Sequence, residues 1–174
     1  MTNHVHLVVG VSDYPTDVGA LMKRLAGRQT RWVNKQERRT GSLWESRYKI
    51  SPIDTDAYLL QCCRYVDLNP VTAKMVSAAA QYPWSSAVWA TGNALADWLD
   101  ESPVYRALGG TTRSRQQAYE RYLGLQGDAQ NAHGFIQAAV ERNQLTGGQR
   151  FIDEVARRTG IRIECRGQGR PAKP

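Results

Sequence analysis

Val5, Leu7, Val8 and Val9, closed by Gly10, make a short run that alternates at first and is then continuously apolar. A run of this length and type predicts a strand rather than a helix. An apolar strand must then find neighbours to pair with and a layer to cover it. A turn follows at Ser12-Asp13-Tyr14-Pro15. Thr16 or Asp17 can cap a helix in which Val18, Leu21, Met22, Leu25, Trp32 and Val33 keep roughly helical spacing. Lys23, Arg24, Arg28, Arg31 and Lys35 fall off that apolar stripe, and the charged run 35–39 with Thr40-Gly41 ends it.

Trp44 to Ile53, rich in aromatic and basic residues, predicts a second strand with Pro52 near its end. Asp54 or Thr55 caps a second helix running to Asn69. Pro70 stops it, because the residue before a proline is pushed out of helical geometry. Past Thr91 the segments 94–99, 113–125, 135–143 and 151–159 read as separate helices, and the Gly-, Pro-, Arg- and Lys-rich tail 166–174 as disordered. Trp44 and Trp84 are expected in the core, and His133, alone among helical residues, is expected to be structural.

Charge narrows the function. Lys+Arg is 23 against 16 Asp+Glu, a net charge of +7 over 174 residues. Such a field attracts polyanions, above all nucleic acid. No run is long and apolar enough for a bilayer, and no secretion signal is read at the N-terminus. Cys62, Cys63 and Cys165 are a poor disulfide framework and fit a reducing cytosol.

Two pairs of residues carry chemistry. His4 and His6 flank Val5, so on a strand both imidazoles project from one face and can share a divalent metal. Tyr65 and Asn69 are four apart, so on a helix they share a face. Asn supplies an oxygen ligand suited to Mg²⁺ or Mn²⁺, and Tyr a nucleophile able to form a covalent intermediate. Tyr58, seven residues before Tyr65 on the same helical face, is a rival nucleophile. Each pair alone also has an ordinary structural explanation.

Taken together, four segments in order resemble a known family: Met1 to Val9, Gly41 to Lys49, Arg64 to Ala73 (Arg-Tyr-Val-Asp-Leu-Asn-Pro-Val-Thr-Ala) and Tyr82 to Ala87 (Tyr-Pro-Trp-Ser-Ser-Ala). They are similar to the tyrosine-dependent HUH transposases of the IS200 group, closest to the branch associated with repetitive extragenic palindromes. The resemblance is strong over the first half of the chain and weak beyond it. It implies a metal-dependent single-strand endonuclease and strand transferase acting on hairpin or palindromic DNA. His4, His6 and Asn69 would hold Mg²⁺ or Mn²⁺, and Tyr65 would form a 5′-phosphotyrosine intermediate. Arg47, Tyr48 and Lys49, with Arg28 and Arg31, are candidate DNA contacts. Gly167-Gln168-Gly169-Arg170-Pro171 resembles the core of arms that lie in a minor groove.

The resemblance also implies an α+β fold: a truncated ferredoxin-like HUH domain over residues 1–92, with an antiparallel sheet packed by helices. A helical extension over 93–165 and the basic tail 166–174 complete the expected organisation. Relative to the family the chain starts late. An upstream start, a degraded remnant, or a partner that supplies strands would each explain that. A possible homodimer, a cytoplasmic nucleoid-associated location and no membrane contact are the remaining expectations. Two other functions stay open: a catalytically inactive module that binds hairpin DNA without cleaving it, and a metal-dependent hydrolase that uses the histidine pair without tyrosine chemistry.

Overall fold

Helical periodicity is realised as helices, whereas neither expected strand forms. The computed structural model describes residues 3–11, 14, 16–125 and 129–163. Met1, Thr2, the turn residues Ser12, Asp13 and Pro15, Cys165 and the tail 166–174 lie outside the described residues. The chain divides into two units, Leu7–Lys49 and Met1–His6 with Ile50–Pro174.

The first unit is built on α1 (Thr16–Gln36), with Asp17 in its first turn and Lys35 in its last, as the helix dipole favours. None of its residues is buried, and Leu21, Leu25 and Trp32 of its apolar stripe are exposed. After α1 the chain turns at Gly41, whose φ of 96° only glycine adopts readily. The Asn34 amide donates to the Gly41 carbonyl at 2.9 Å, and the Trp44 indole N–H donates to the Ala26 carbonyl at 3.3 Å. This segment therefore folds back along α1.

The second unit is organised around α2 (Thr55–Thr72). The helix runs through Pro70 instead of stopping at Asn69. A proline removes one N–H, but only the last turn is affected, and that end is closed by other donors. The Ala73 amide donates to the Asn69 carbonyl and the Met75 amide to the Pro70 carbonyl, both at 2.9 Å, around Lys74 at φ 57°.

Short helices α3 (Ala87–Ala90) and α4 (Pro103–Arg106) follow, then α5 (Thr112–Gly124), α6 (Ala129–Glu141) and α7 (Gln149–Thr159). Caps explain several starts. Ser102 Oγ accepts from the Tyr105 amide, and Thr111 with Ser114 forms a reciprocal capping box on α5.

Two apolar clusters hold these helices. Cys62 and Tyr65 of α2 pack with Ile136 of α6, joined by Ile53, Tyr58, Val66 and Val140. Ala90, Tyr105 and Tyr119 gather with Leu60, Trp89 and Leu108. Burying a side chain such as Ile136 contributes roughly 2 kcal/mol. Arg64 fastens α5 to α2. Its guanidinium donates to the carbonyls of Tyr122, Leu123 and Leu125 and lies 5.4 Å from the Tyr122 ring centroid. It thus satisfies carbonyls that the end of α5 leaves unpaired.

The expected α+β class, with an antiparallel ferredoxin-like sheet, is overturned. Among the described residues there is no sheet, only one isolated parallel bridge between Ile53 and Thr146. Strand pairing needs a partner, and a lone two-stranded ribbon is marginal in water. Residues 4–11 run without helix or ladder, and Val5, Leu7, Val8 and Val9 stay exposed. The expected second strand is taken up by local contacts instead. Trp44 turns onto α1, and residues 50–54 bind the loop after α6. There the Ile50 amide donates to Asn143 Oδ1, the Thr146 amide to the Pro52 carbonyl and the Asp54 amide to the Thr146 carbonyl, each at 2.9 Å. Gly147 makes this closure possible, since a Cβ there would collide with Phe151 and stand 3.0 Å from Asp54 Cβ.

Residues 94–99, expected to be helical, form turns. Trp44 and Trp84 are not core residues: Trp84 is 86% exposed and Trp44 39%. Hydrophobicity alone does not say which apolar side chains a fold manages to cover.

The two described cysteines are free, and burial holds both as thiols. Cys62 is pushed up to about 12 and Cys63 to about 11. At about pH 8 the thiolate fraction, and with it alkylation, should fall roughly 1000-fold for Cys62 and roughly 100-fold for Cys63 relative to the unfolded chain. Iodoacetamide labelling of a Cys165→Ser variant, with and without denaturant, checks this. Equal rates in the two conditions would contradict the packing of α2.

Candidate functional site

Four of the expected site residues lie in the second unit. His4 and His6 come from its N-terminal segment, and Tyr65 and Asn69 from successive turns of α2. The His4 and His6 ring centroids are 5.0 Å apart, edge to face. His6 in turn meets the Tyr65 ring at 5.4 Å, again edge to face. His4 Nδ1 is 2.7 Å from Asn3 Oδ1. Asn69, 8% exposed, turns its amide nitrogen back to donate to the Tyr65 carbonyl at 2.8 Å. That bond fixes the Asn69 side chain against the helix.

Burial sets the protonation states. Desolvation lowers the His6 pKa, and the neighbouring His4 and His133 push it the same way. His6 is therefore held neutral, with a nitrogen lone pair to offer. Burial also raises the Tyr65 pKa, with the Asn69 amide pulling in the opposite direction and the Glu141 charge adding to the rise. The phenol keeps its proton at neutral pH and needs help to become a nucleophile.

The remaining neighbour of Tyr65 is one that sequence reasoning set aside. His133 of α6 packs against the phenol with ring centroids 4.7 Å apart and a 51° tilt. Its Nε2 is buried and has no hydrogen-bond partner. Burial lowers its pKa. Nothing in the sequence marked it, since it lies 68 positions after Tyr65 and belongs to no motif (133 minus 65).

Two imidazoles, one of them desolvated and neutral, and an amide oxygen are donors of a kind a divalent metal accepts. Among the described residues no three His, Cys, Asp or Glu side chains gather around one point. A metal here would therefore depend on Asn69 as well as on His4 and His6. The rival Tyr58 sits in the α2–α6 cluster, its ring 5.8 Å from Phe135.

Behind Tyr65 lies a second polar group that sequence reasoning missed. Asp67, 2% exposed, accepts from Ser85 Oγ at 2.9 Å and Ser86 Oγ at 2.6 Å on Oδ1, and from Tyr119 Oη at 2.8 Å on Oδ2. Burial still raises its pKa, against those three hydroxyls and the Ala87 amide, which all favour the carboxylate. This network ties Arg64–Ala73 to Tyr82–Ala87, so two of the quoted segments are physical partners. The signal was an acid between Val66 and Leu68, matched by a Ser-Ser pair downstream.

The candidate DNA contacts belong to the other unit. Arg28 and Arg31 are exposed and three apart on α1. Arg47, Tyr48 and Lys49 are exposed on an irregular segment rather than a strand, with the Tyr48 hydroxyl beside Gly19. The Gly-Arg-Pro tail lies outside the described residues. No described helix is long and apolar enough to cross a membrane.

Comparison with known proteins adds one match. Residues 1–69 match the family model described as "Transposase IS200 like". No curated protein and no solved structure matches the chain. The matched segment contains His4, His6, Tyr65 and Asn69 and ends before Asp67's partners and His133. Over that segment the chain is similar to IS200-like transposases.

Proposed function

We propose that this protein is a transposase-like single-strand DNA endonuclease and strand transferase with Tyr65 as its nucleophile. The observation that carries this is the succession of rings from His4 through His6 to Tyr65, at 5.0 and 5.4 Å, inside a segment similar to IS200-like transposases. The net charge of +7 and the exposed Arg28 and Arg31 suit a polyanionic partner. Hairpin or palindromic DNA, as used by the branch associated with repetitive extragenic palindromes, is the substrate we favour.

In this scheme Tyr65 Oη attacks phosphorus and the bond to the 3′ oxygen breaks. A 3′ hydroxyl leaves, and the 5′ phosphate stays on Tyr65. The phosphodiester energy is conserved, so a later 3′ hydroxyl can reverse the step and join strands. His4, His6 and Asn69 would hold Mg²⁺ or Mn²⁺. When bound, such an ion would polarise the scissile phosphate and offset charge developing on it. Asn69, anchored to the Tyr65 carbonyl, keeps the ligand and the nucleophile on one helix face.

The test is a covalent adduct. Protein mixed with labelled hairpin-forming single-stranded DNA and Mn²⁺ should give a band that survives a denaturing gel. Chelation with EDTA, or His6→Ala, should remove it. A band indifferent to both would rule out the metal role. The lack of any ladder around His4-Val5-His6 among the described residues favours a second reading, in which the protein binds hairpin DNA without cleaving it. Retarded DNA on a native gel with no adduct on the denaturing gel would select that reading.

A further inference from the structure

The cations of this chain are unevenly placed. In the unit that carries Tyr65, residues 50–148 hold seven Lys and Arg against nine Asp and Glu, a balance of −2, and Met1–His6 adds none of these residues. Residues 149–174 hold seven against three, a balance of +4. Without its last stretch, the unit with the candidate nucleophile gives a polyanion no net attraction. We infer that α7 supplies that attraction: Arg150, Arg157 and Arg158 form a surface that binds the phosphate backbone of DNA, outside the segment similar to the transposases. The inference rests on the reading that DNA is the partner, and not on which residue attacks it.

Helical spacing divides α7 into two faces. Phe151, Ile152, Val155 and Ala156 make a half-buried stripe, and Arg150, Asp153, Glu154, Arg157 and Arg158 lie exposed beside it. The two acids already have partners. Glu154 lies 3.9 Å from Arg157, and Asp153 accepts from Gln149 Nε2 at 2.9 Å and lies 3.9 Å from Arg162. Arg150 and Arg158 form no ion pair among the described residues. An exposed pair such as Glu154 with Arg157 is worth under about 1 kcal/mol, so a phosphate can take Arg157 from it. The planar guanidinium, with its fork of N–H donors, matches phosphate oxygens better than a lysine would.

The helix is also tied to the nucleophile's own helix. Phe151 and Asp54 converge on Gly147, where a Cβ would collide with the first and stand 3.0 Å from the second. Arg150, next to Phe151, therefore lies near the start of α2. Tyr65 is eleven residues further along (65 minus 54). At about 1.5 Å per residue that is roughly 16 Å along the axis. Stacked DNA advances about 3.4 Å per nucleotide, so about five steps cover the distance. One short hairpin can touch α7 and reach the Tyr65 turn.

The experiment measures affinity for a labelled hairpin oligonucleotide across a series of salt concentrations. The wild type is compared with a triple variant, Arg150→Gln, Arg157→Gln and Arg158→Gln. A charge-matched control carries Arg106→Gln, Arg113→Gln and Arg121→Gln, three exposed cations of the same unit. Glutamine keeps helix propensity close to that of arginine. The α7 variant should bind at least about 30-fold more weakly at low salt, and its plot of log affinity against log salt should flatten by about 2 to 3. The control should change either quantity far less. Should the α7 triple variant not fold, Arg158→Gln alone, with a slope flatter by about 0.9, carries the test. Unchanged affinity in a folded α7 variant, or equal losses in variant and control, overturns the inference and leaves the tyrosine reading standing. Wild-type protein that binds through α7 but gives no adduct upholds the inference and overturns the cleavage reading. Wild-type protein that does not bind the hairpin overturns both.

Discussion

Tyr65→Phe should lower adduct formation by at least about a thousandfold, to below detection, because the attacking oxygen is gone and no neighbour can replace it. The fold should barely notice. Phenylalanine keeps the ring that meets His6, His133 and the α2–α6 cluster. The Asn69 amide donates to the Tyr65 backbone carbonyl, which the substitution leaves intact. Unfolding free energy should therefore move by less than about 1 kcal/mol. Mn²⁺ binding at the proposed His4–His6 site, followed by calorimetry, should be unchanged by the substitution. Tyr58→Phe is the matched control and should leave the adduct in place. An adduct that survives Tyr65→Phe but not Tyr58→Phe would transfer the role to Tyr58. Phosphodiester cleavage without adduct in both variants would point to a hydrolase that uses the histidine pair alone.

The unequal legibility of the chain has a physical origin. Helices α1, α2, α5 and α7, and the second half of α6, could be read from spacing, because a helix is closed by bonds between near neighbours. The stretches around Val5–Val9 and Trp44–Ile53 could not. Their apolar and aromatic content favours strands, but a strand is decided by a partner that local sequence does not name. Here residues 50–54 spend their backbone groups on Asn143 and Thr146, which lie some ninety positions away. Pro70 was read as a stop because a proline's cost was judged without its place in the helix. Two residues from the end, it removes a single bond while the turn around Lys74 satisfies the last carbonyls of the helix. At the site, His4 with His6 and Tyr65 with Asn69 follow from alternation and helical spacing. That the two pairs meet does not follow from either, and only the family resemblance suggested it. His133 left no trace in the sequence, since a tertiary contact between α2 and α6 puts it there. The partners of Asp67 were visible as a motif, but their reason was not.

That reason supplies the largest stability effect expected in the chain. Asp67→Ala should cost about 3 kcal/mol or more, because it removes the acceptor for three hydroxyls at once. Ser85 and Ser86 hold the segment leading into α3, and Tyr119 is the centre of the second apolar cluster at 2% exposure. Its phenol would be left without the carboxylate in a site too enclosed for ready solvation. Asp67→Asn should cost much less, about 1 kcal/mol, since the amide keeps one acceptor oxygen for the serines and can donate to Tyr119 Oη instead. The burial that raises the Asp67 pKa also means that giving up its charge recovers part of the loss. Urea unfolding of the two variants beside the wild type separates these terms. A loss within about 0.5 kcal/mol for Asp67→Ala would mean the carboxylate is not holding α2 to α3 and α5. An equal and large loss for both variants would assign the stability to the charge itself. Because Asp67 lies between Tyr65 and Asn69 on the same helix, Asp67→Ala should also slow adduct formation. Asp67→Asn, with its bonds largely kept, should slow it far less.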